Sequence, residues 1–507
     1  MNKGEDLNMK QHRKKGALVA AAVATAVALA GCGGGAKPAD SGKAAAGGEA
    51  AKPTLKLLVP NNVEEFPQGS DVNNNEIANT IREKTGFNLQ WELLPKDAEP
   101  ARQKLNVVMA SGETPDIIIL NDKTQFGSFV QQGLLTPLDT YMNDVGKDIK
   151  ATLTPEQWKS STAADGKIYA VRTLTFNVAT SGLLTRTDWF EELGIPLPKT
   201  QDEFYEALKT IKAKKPDAVP YSANLAQGLG SLAAIQSMFY PPVEYLQKNG
   251  KVVYTPAEPE AKEFLAFANK LFSEGLIDKE AVVNKLDNVK EKFVSGRAAM
   301  STIGWADAKG IGDALKGKSA NAKLGYIDIP TGKNGANGMN KATSLTKYFV
   351  IPKFSKHPKE AVDFMNKSTN KDLIDYISFG VEGKHYEKKD GQFIATKEAE
   401  NIRYRVYYNM FDTVELGIQR MKQKGFAPYF DPLVKSSKYD DVVNLVPPID
   451  AVDKKSKEFS DLRDEYFLKI ITGALPMSAY DDYIAKWKKA GGEEALKALN
   501  DAYNGNK

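Results

Sequence analysis

The side chains in this sequence that could bind a ligand are amides, carboxylates and aromatic rings that follow strand-like segments. Residues 297–303 are small or β-branched, which predicts a buried strand, and Gly304 ends this strand just before Trp305 and Asp307. In an open α/β sheet, ligands bind outside the carboxyl ends of the strands. Trp305 and Asp307 are therefore candidates for ligand contact, although a tryptophan is equally compatible with a place in the core.

Polar side chains also follow two predicted strands near the beginning of the folded region. Residues 55–59 are a short apolar run, and residues 117–120 are Ile-Ile-Ile-Leu, which suits a parallel strand buried on both faces. Carboxylates and amides at such strand ends can exchange hydrogen bonds with the hydroxyl groups of a ligand. A solvated surface loop is the alternative for any one of them. The candidates after these two strands are Asn62, Phe66, Asp122 and Gln125.

Five further candidates come from segments rich in amides and tyrosine. A tyrosine ring can lie against the apolar face of a sugar, while amides bond the sugar hydroxyls. Three of these residues precede a predicted helix at 232–239, where an ordinary surface loop explains the pattern equally well. One lies in a strand-like segment at 174–185, and one lies in an aromatic helical segment that could instead be core. They are Tyr221, Asn224, Gln227, Asn177 and Tyr404.

Composition excludes several classes of function. The chain has 507 residues, of which 42% are apolar, enough for one large or two ordinary domains. A net charge of +4 gives no support for nucleic-acid binding. One of the three histidines, His12, lies in the predicted leader, and the remaining two, His357 and His385, are too few for a histidine-based metal site. A single cysteine excludes an internal disulfide. There is no glycine-rich phosphate loop, nucleophile elbow or metal-binding histidine pair, so no cofactor and no catalytic set are predicted.

The N-terminal segment predicts a secreted protein with a membrane anchor. Basic residues at 10–15 precede an apolar run at 17–30, which is shorter than the roughly 20 residues of a spanning helix and is typical of a signal peptide over residues 1–31. The run ends in Leu-Ala-Gly-Cys, which resembles a lipobox, so Cys32 is predicted to carry lipid. Residues 32–53 are rich in Gly and Ala and predict a disordered tether. Acids at positions 5 and 6 are unusual in a leader, so we predict that translation starts at Met9.

Several motifs resemble one protein family. The segment FVSGRAAM at 293–300 is followed by Gly-Trp, and ASGETPDIIIL, RTDWF and GVEGKHY occur at 110–120, 186–190 and 380–386. Together these motifs, scattered over about residues 55–507, resemble the family 1 extracellular solute-binding proteins. Members of that family are the sugar-capturing receptors of ABC importers.

The resemblance implies an α/β, periplasmic-binding-protein-like fold with two discontinuous lobes, a hinge and an interlobe cleft. It also implies a monomer that is not an enzyme, that binds an oligosaccharide and that delivers it to the permease subunits of an ABC transporter. The lipid on Cys32 would hold this receptor at the extracellular face of the cell membrane. The expected lobes are 54–173 plus 325–385 and 174–324 plus 386–507, with crossings near 173–185, 324–330 and 380–400.

The resemblance also raises the questions of calcium and of ligand charge. Some relatives, including alginate-oligosaccharide binders, carry a calcium loop at the position of residues 214–220. Here that loop has one carboxylate, Asp217, whereas calcium takes six to eight oxygen ligands, so we predict no calcium site. Arg186, Arg403 and Arg405 could favour uronic acids, but arginine is common on surfaces, and the charge of the sugar stays open.

Two other functions remain compatible with the sequence. A secreted polysaccharide hydrolase or lyase would use paired carboxylates. The sequence has 64 Asp and Glu residues, although none sits in a recognisable catalytic motif. A receptor for peptides would share the same fold and anchor. Incubation with oligosaccharides separates these functions, because an enzyme forms product, a sugar receptor binds without turnover and a peptide receptor does neither.

Overall fold

The computed structural model describes residues 53–61, 64–112, 115–163, 165–175, 178–342 and 345–505, apart from the side chain of Glu156. All of these residues belong to one compact unit, Lys52–Lys507. Two sheets, each flanked by helices, form the framework of this unit. The α/β architecture expected from the sequence is therefore confirmed.

The strands are short and are distributed along the whole described chain. In chain order they are β1 (Thr54–Val59), β2 (Asn88–Leu93), β3 (Ile117–Leu120), β4 (Val171–Leu174), β5 (Ser181–Arg186), β6 (Val219–Tyr221), β7 (Tyr245–Lys248), β8 (Lys251–Tyr254), β9 (Ala298–Gly304), β10 (Leu324–Ile327), β11 (Met339–Asn340), β12 (Leu345–Val350), β13 (Tyr386–Lys389), β14 (Gln392–Ala395) and β15 (Ser437–Tyr439).

The helices connect these strands and cover the sheets. In chain order they are α1 (Glu76–Thr85), α2 (Ala98–Ser111), α3 (Lys123–Gln131), α4 (Asp139–Asp144), α5 (Lys147–Ala151), α6 (Pro155–Lys159), α7 (Thr187–Leu193), α8 (Gln201–Lys214), α9 (Ala233–Gln236), α10 (Pro259–Ser273), α11 (Leu286–Val294), α12 (Trp305–Lys318), α13 (Pro358–Lys367), α14 (Lys371–Phe379), α15 (Val414–Gln423), α16 (Ala427–Ser436), α17 (Asp450–Asp453), α18 (Ser456–Ile471), α19 (Ala479–Lys489) and α20 (Gly492–Gly505). Short 3-10 segments occur between them, including Lys397–Tyr407.

The first sheet has the strand order β2-β1-β3-β12-β4. β1 runs parallel to β2 and β3, whereas β12 runs antiparallel to both β3 and β4. β3 is buried along its whole length, as its unbroken aliphatic sequence predicts. Separate apolar clusters cover the two faces of this sheet, one beneath α1 and α13 and the other beneath α2 and α3.

The second sheet has the strand order β10-β5-β9-β6. β9 pairs antiparallel with β5 and parallel with β6, while β10 pairs antiparallel with β5. β9 is buried up to its last residue, in agreement with the small and β-branched residues that predicted it. One large apolar cluster surrounds this sheet and includes residues of α8, α10 and the C-terminal helices α18–α20.

Two lobes follow from these separate cores, but their boundaries differ from those expected from the sequence. β10 was expected to return to the first lobe, yet it pairs with β5 in the second sheet. Residues 386–411 were expected in the second lobe, yet Ile402 and Phe411 lie in the core beneath the first sheet. Tyrosine side chains hold this segment there, because the Tyr408 hydroxyl donates to the carbonyl of Val72 at 2.6 Å.

The motif at 380–386 forms a tight structural unit. Gly380 ends α14 with φ 82° and ψ −142°. A Cβ at Gly380 would lie 2.4 Å from Nδ1 of His385 and 2.6 Å from Cδ1 of Ile402. His385 is buried, its Nδ1 accepts the backbone N–H of Val381 at 3.0 Å, and burial lowers its pKa. These contacts assign a structural role to the glycine and the histidine of the motif.

We predict that Gly380→Ala destabilises the protein more than Gly383→Ala. Both glycines have positive φ, at 82° and 78°, which costs a non-glycine residue roughly 1–2 kcal/mol. A methyl group at Gly383 meets nothing within 4 Å, whereas at Gly380 it collides with His385 and Ile402, adding roughly 1–3 kcal/mol. Chemical denaturation of the two variants measures the difference. Equal losses in the free energy of unfolding would contradict the proposed clash.

Candidate functional site

The ends of the strands define one edge on each sheet where a ligand could bind. In the first sheet, the carboxyl ends of β1, β3 and β4 share an edge with the amino end of β12. In the second sheet, the carboxyl ends of β6, β9 and β10 share an edge with the amino end of β5. Only six residues, 175–180, join the end of β4 to the start of β5. Such a segment spans at most about 25 Å, so the two edges lie close together.

Trp305 lies on the edge of the second sheet and is held there from three sides. It is the first residue of α12, and its backbone N–H donates to the carbonyl of Thr180 in the β4–β5 connection at 3.1 Å. Trp305 makes edge-to-face contacts with Phe426 and Phe430, and its ring centroid lies 5.1 and 5.8 Å from theirs. The indole is half-buried, so two aromatic neighbours fix its orientation while part of it stays accessible.

Asp307 lies in the first turn of α12, close to Trp305. Its Oδ1 is 2.6 Å from Nζ of Lys290 on α11, and the hydrogen bond between them raises the pKa of Lys290. About a third of each side chain is exposed. The carboxylate is thus already partnered, and its remaining oxygen is what a ligand hydroxyl could reach.

A cavity of about 530 Å³ lies against the carboxyl ends of β1 and β3, within the usual range of ligand pockets. Asp122 and Gln125, both predicted from the sequence, line this cavity. The carboxylate of Asp122 accepts the backbone N–H of Gln125 at 2.9 Å and so caps α3. Asn61 and Asn121, each among the first residues after its strand, line the same cavity.

A bridge between the lobes begins at the residue after Asp122. Nζ of Lys123 donates to the carbonyl of Val443 at 2.8 Å and lies 3.5 Å from Oδ1 of Asp453. Farther along α3, Nε2 of Gln131 donates to Oδ1 of Asp450 at 3.0 Å. Burial lowers the pKa of Lys123, which the nearby Asp453 partly opposes. The helix that forms one wall of the cavity therefore also contacts the second lobe.

Phe66 and Tyr404 are close together, as two members of one aromatic group. The Phe66 ring is half-buried, stacks on Tyr407 at 5.4 Å and is tilted against Tyr404 at 5.1 Å. Tyr404 is only 3% exposed, and its burial raises its pKa to about 12. The prediction of a ligand contact for Tyr404 is therefore corrected, because its ring belongs to the core that supports Phe66.

Tyr221 requires the same correction for a different reason. It is the last residue of β6 and is completely buried. Its hydroxyl donates to the carbonyl of Ser231 and shares a hydrogen bond with Oγ1 of Thr302, both at 2.7 Å. Its polar group is thus satisfied inside the protein, and burial raises its pKa. It has no surface to offer a ligand.

Asn224 and Gln227 form a polar loop just after β6. Nδ2 of Asn224 donates to Oε1 of Gln227 at 3.0 Å, and the same oxygen accepts the backbone N–H of Leu286 at 2.8 Å. The two amides therefore fix this loop to the start of α11, and their contact with ligand stays a prediction. Asn62, Asn177 and Cys32 lie outside the described residues.

Within the described ranges, no group of three or more His, Cys, Asp or Glu residues is arranged to hold a metal ion. In the same part of the chain, no helix combines the length and the apolar character needed to cross a membrane.

The chain is similar to a family of bacterial proteins and to individual members of known function or name. The bacterial extracellular solute-binding protein family matches residues 77–372. The lipoprotein LipO of Bacillus subtilis is 27% identical over 482 residues, covering 90% of this chain and 93% of LipO. A carbohydrate ABC transporter substrate-binding protein of Streptococcus pneumoniae is 29% identical over 412 residues, covering 76% of this chain and 75% of that protein.

A solved structure shows that the fold is shared. The crystal structure of an extracellular solute-binding protein from Bifidobacterium longum subsp. infantis superimposes with a TM-score of 0.69. The alignment covers 90% of this chain and 98% of that one, at 17% sequence identity. At this identity the comparison supports the two-lobed architecture.

We predict that calcium does not stabilise this protein through the 214–220 loop. Asp217 is the loop's single carboxylate, too few for the oxygen-rich shell that calcium takes. Thermal unfolding should give the same midpoint in calcium and in a chelator. A calcium-dependent rise in the midpoint that disappears in Asp217→Asn would contradict this prediction.

Proposed function

Because the chain belongs to the bacterial extracellular solute-binding protein family, we propose that it is a receptor that captures an oligosaccharide between its lobes and delivers it to an ABC transporter. The placement of the half-buried Trp305 on one strand-end edge carries this proposal. The edge of the first sheet contributes a cavity whose lining includes amides and carboxylates. An aromatic ring beside hydrogen-bonding side chains suits a sugar, which has an apolar face and a rim of hydroxyls.

Ligand capture would work as a hinge. The connection at 175–180 joins the two binding edges directly, and such short crossings are where a hinge absorbs backbone rotation. Closing the lobes over a sugar removes water, which strengthens each hydrogen bond to the ligand. The closed form would present a surface that the permease subunits recognise, so that transport follows binding.

A lipid on Cys32 would keep the receptor at the outer face of the membrane. The sequence ends its predicted leader with Leu-Ala-Gly-Cys, and the similar protein LipO is named a lipoprotein. Residues 33–51, rich in Gly and Ala, would connect the lipid to the folded unit.

The similar proteins favour binding over catalysis, since they are named as substrate-binding proteins. The experiment that tests this is incubation of the purified mature protein with a panel of neutral and acidic oligosaccharides. Saturable binding measured by calorimetry, with no change of the glycan by mass spectrometry, is the expected result. Cleavage of the glycan would show that the protein is an enzyme and not a receptor. Binding of peptides alone would show that it is a peptide receptor.

We predict that Trp305→Ala weakens oligosaccharide binding by roughly 1–3 kcal/mol, the contribution of a buried aromatic contact. Trp189→Ala is the matched control, because Trp189 lies in α7 after β5, at the opposite edge of the same sheet. The control should lower the midpoint of thermal unfolding and leave the affinity unchanged. Calorimetry at a temperature where both variants are folded measures the affinities. Unchanged affinity in Trp305→Ala would show that the indole has a structural role in the core and does not contact the ligand.

A further inference from the structure

A group of positive side chains lies between the end of β1 and the support of Trp305. Arg405 belongs to the 3-10 segment Lys397–Tyr407, and its electrostatic neighbours include Glu64, which follows β1. Lys424, between α15 and α16, is close enough to Arg405 for each charge to affect the other. Phe426, two residues farther on, packs against Trp305. The positive group therefore extends along the strand-end edge toward the indole.

Two of the arginines in this region already have carboxylate partners. An Arg403 nitrogen lies 3.1 Å from Oε1 of Glu64, and Arg420 forms a two-point contact with the carboxylate of Asp412. Arg186 in the second lobe is likewise held by Asp188, at 2.9 and 2.6 Å. Of the three arginines that the sequence suggested for an acidic sugar, two are therefore paired.

Three other cations in the group lack such a partner. Over the described ranges, Arg405, Lys347 and Lys424 have no carboxylate within ion-pair distance, and the ammonium of Lys347 donates only to the carbonyl of Asn409, at 2.9 Å. The undescribed residues next to the strand ends, 62–63, 176–177 and 343–344, include no Asp or Glu. The group formed by Arg405, Lys347 and Lys424, called the cation cluster below, thus carries positive charge that no described carboxylate contacts directly, although Glu64 and Asp412 lie nearby.

Burial makes the charges of two members of the cation cluster, Arg405 and Lys347, unfavourable in the free protein. Burial, with the neighbouring Arg420, lowers the pKa of Arg405 to about 10. Burial lowers the pKa of Lys347 to about 8, and Asp412 opposes that shift. Lys347 also has φ 52° at a β-bulge in β12, a conformation that strains a residue with a Cβ. Removing charges from water without a partner costs free energy, which a bound anion would offset.

We propose that the cation cluster binds an anionic group, a carboxylate or a sulfate, on the captured oligosaccharide. This inference rests on the proposed function and adds the class of sugar. A guanidinium is suited to the role because its planar fork can donate two parallel hydrogen bonds to a carboxylate or a sulfate. The anionic group would lie beside the ring that stacks on Trp305, so a charged sugar residue would meet both contacts.

The test compares oligosaccharides that differ only in charge. The probes are uronic acid oligomers, their carboxyl-reduced neutral counterparts and sulfated oligomers of the same length, each titrated by calorimetry into the full mature protein. We expect tighter binding of a charged probe than of its neutral counterpart. The uronate and sulfate arms identify which anion is preferred, and preference for either supports the inference.

The decisive variant is Arg405→Gln, with Arg403→Gln as its matched control. Arg405→Gln should weaken binding of the charged probe about tenfold and leave the neutral probe unchanged. Its thermal midpoint should not fall, because the guanidinium has no partner among the described residues to lose. Arg403→Gln removes an arginine that is paired with Glu64, so it should change the affinity less than threefold. Arg405→Lys keeps the charge without the fork and should restore part of the affinity.

The outcomes separate this inference from the function on which it rests. If neutral oligosaccharides bind as tightly as charged ones, or if Arg405→Gln leaves charged binding unchanged, the cation cluster has no role in recognition and the sugar receptor stands. If no oligosaccharide binds, the proposed function fails and this inference fails with it.

We further predict that Lys347→Met stabilises the unliganded protein at neutral pH while weakening anion binding. The folded pKa of Lys347, about 8, lies below the unfolded value of 10.5, so protonation favours the unfolded chain. The charged groups that face it are Asp412 and Arg420. The advantage of the variant should therefore be full below pH 8 and should shrink as the pH rises toward 10.5. Urea denaturation of both proteins across this range measures it, and a variant less stable than the wild type at pH 7 would contradict the prediction.

Discussion

The connection between Leu174 and Ser181 is the constraint on which the candidate site depends. It leaves the carboxyl end of β4 and enters the amino end of β5, so it joins the binding edge of one sheet to the binding edge of the other. Six residues span at most about 25 Å, which keeps the two edges close together. The backbone N–H of Trp305 donates to the carbonyl of Thr180 in this connection, so the candidate ring for sugar stacking is tied to the segment that joins the two sheets.

The sequence was sufficient to predict the structural features that depend on residues close together in the chain. The aliphatic run at 117–120 and the small residues at 298–304 form buried strands, as predicted, because each pattern is contained within one short segment. Features that depend on distant partners were missed. Tyr221 was taken for a ligand contact, but its hydroxyl is satisfied by Thr302, 81 residues away. The lobe boundary was misplaced because Tyr407 bonds to Glu64, 343 residues earlier in the chain.

The same distinction applies to the candidate site. Asp122 and Gln125 could be predicted because polar residues that follow a buried strand are expected at its carboxyl end. The proposed role of Arg405 could not be predicted, because the three arginines are equivalent in the sequence and differ only in whether a carboxylate contacts them directly. Pairing is a property of three-dimensional packing, and no spacing rule in the sequence reports it.

Positive charge that no carboxylate contacts would also let the proposed receptor discriminate between anionic and neutral sugars. If the lobes closed over a ligand and excluded water, the repulsion among Arg405, Lys347 and their neighbours would strengthen together with every attraction to the ligand. An anionic sugar would compensate that repulsion, whereas a neutral sugar of the same shape would leave it in place. Selectivity would then come as much from the repulsion that opposes closure over neutral ligands as from new hydrogen bonds to acidic ones. A cluster balanced by its own carboxylates would lose this discrimination, since closure would cost the same for both.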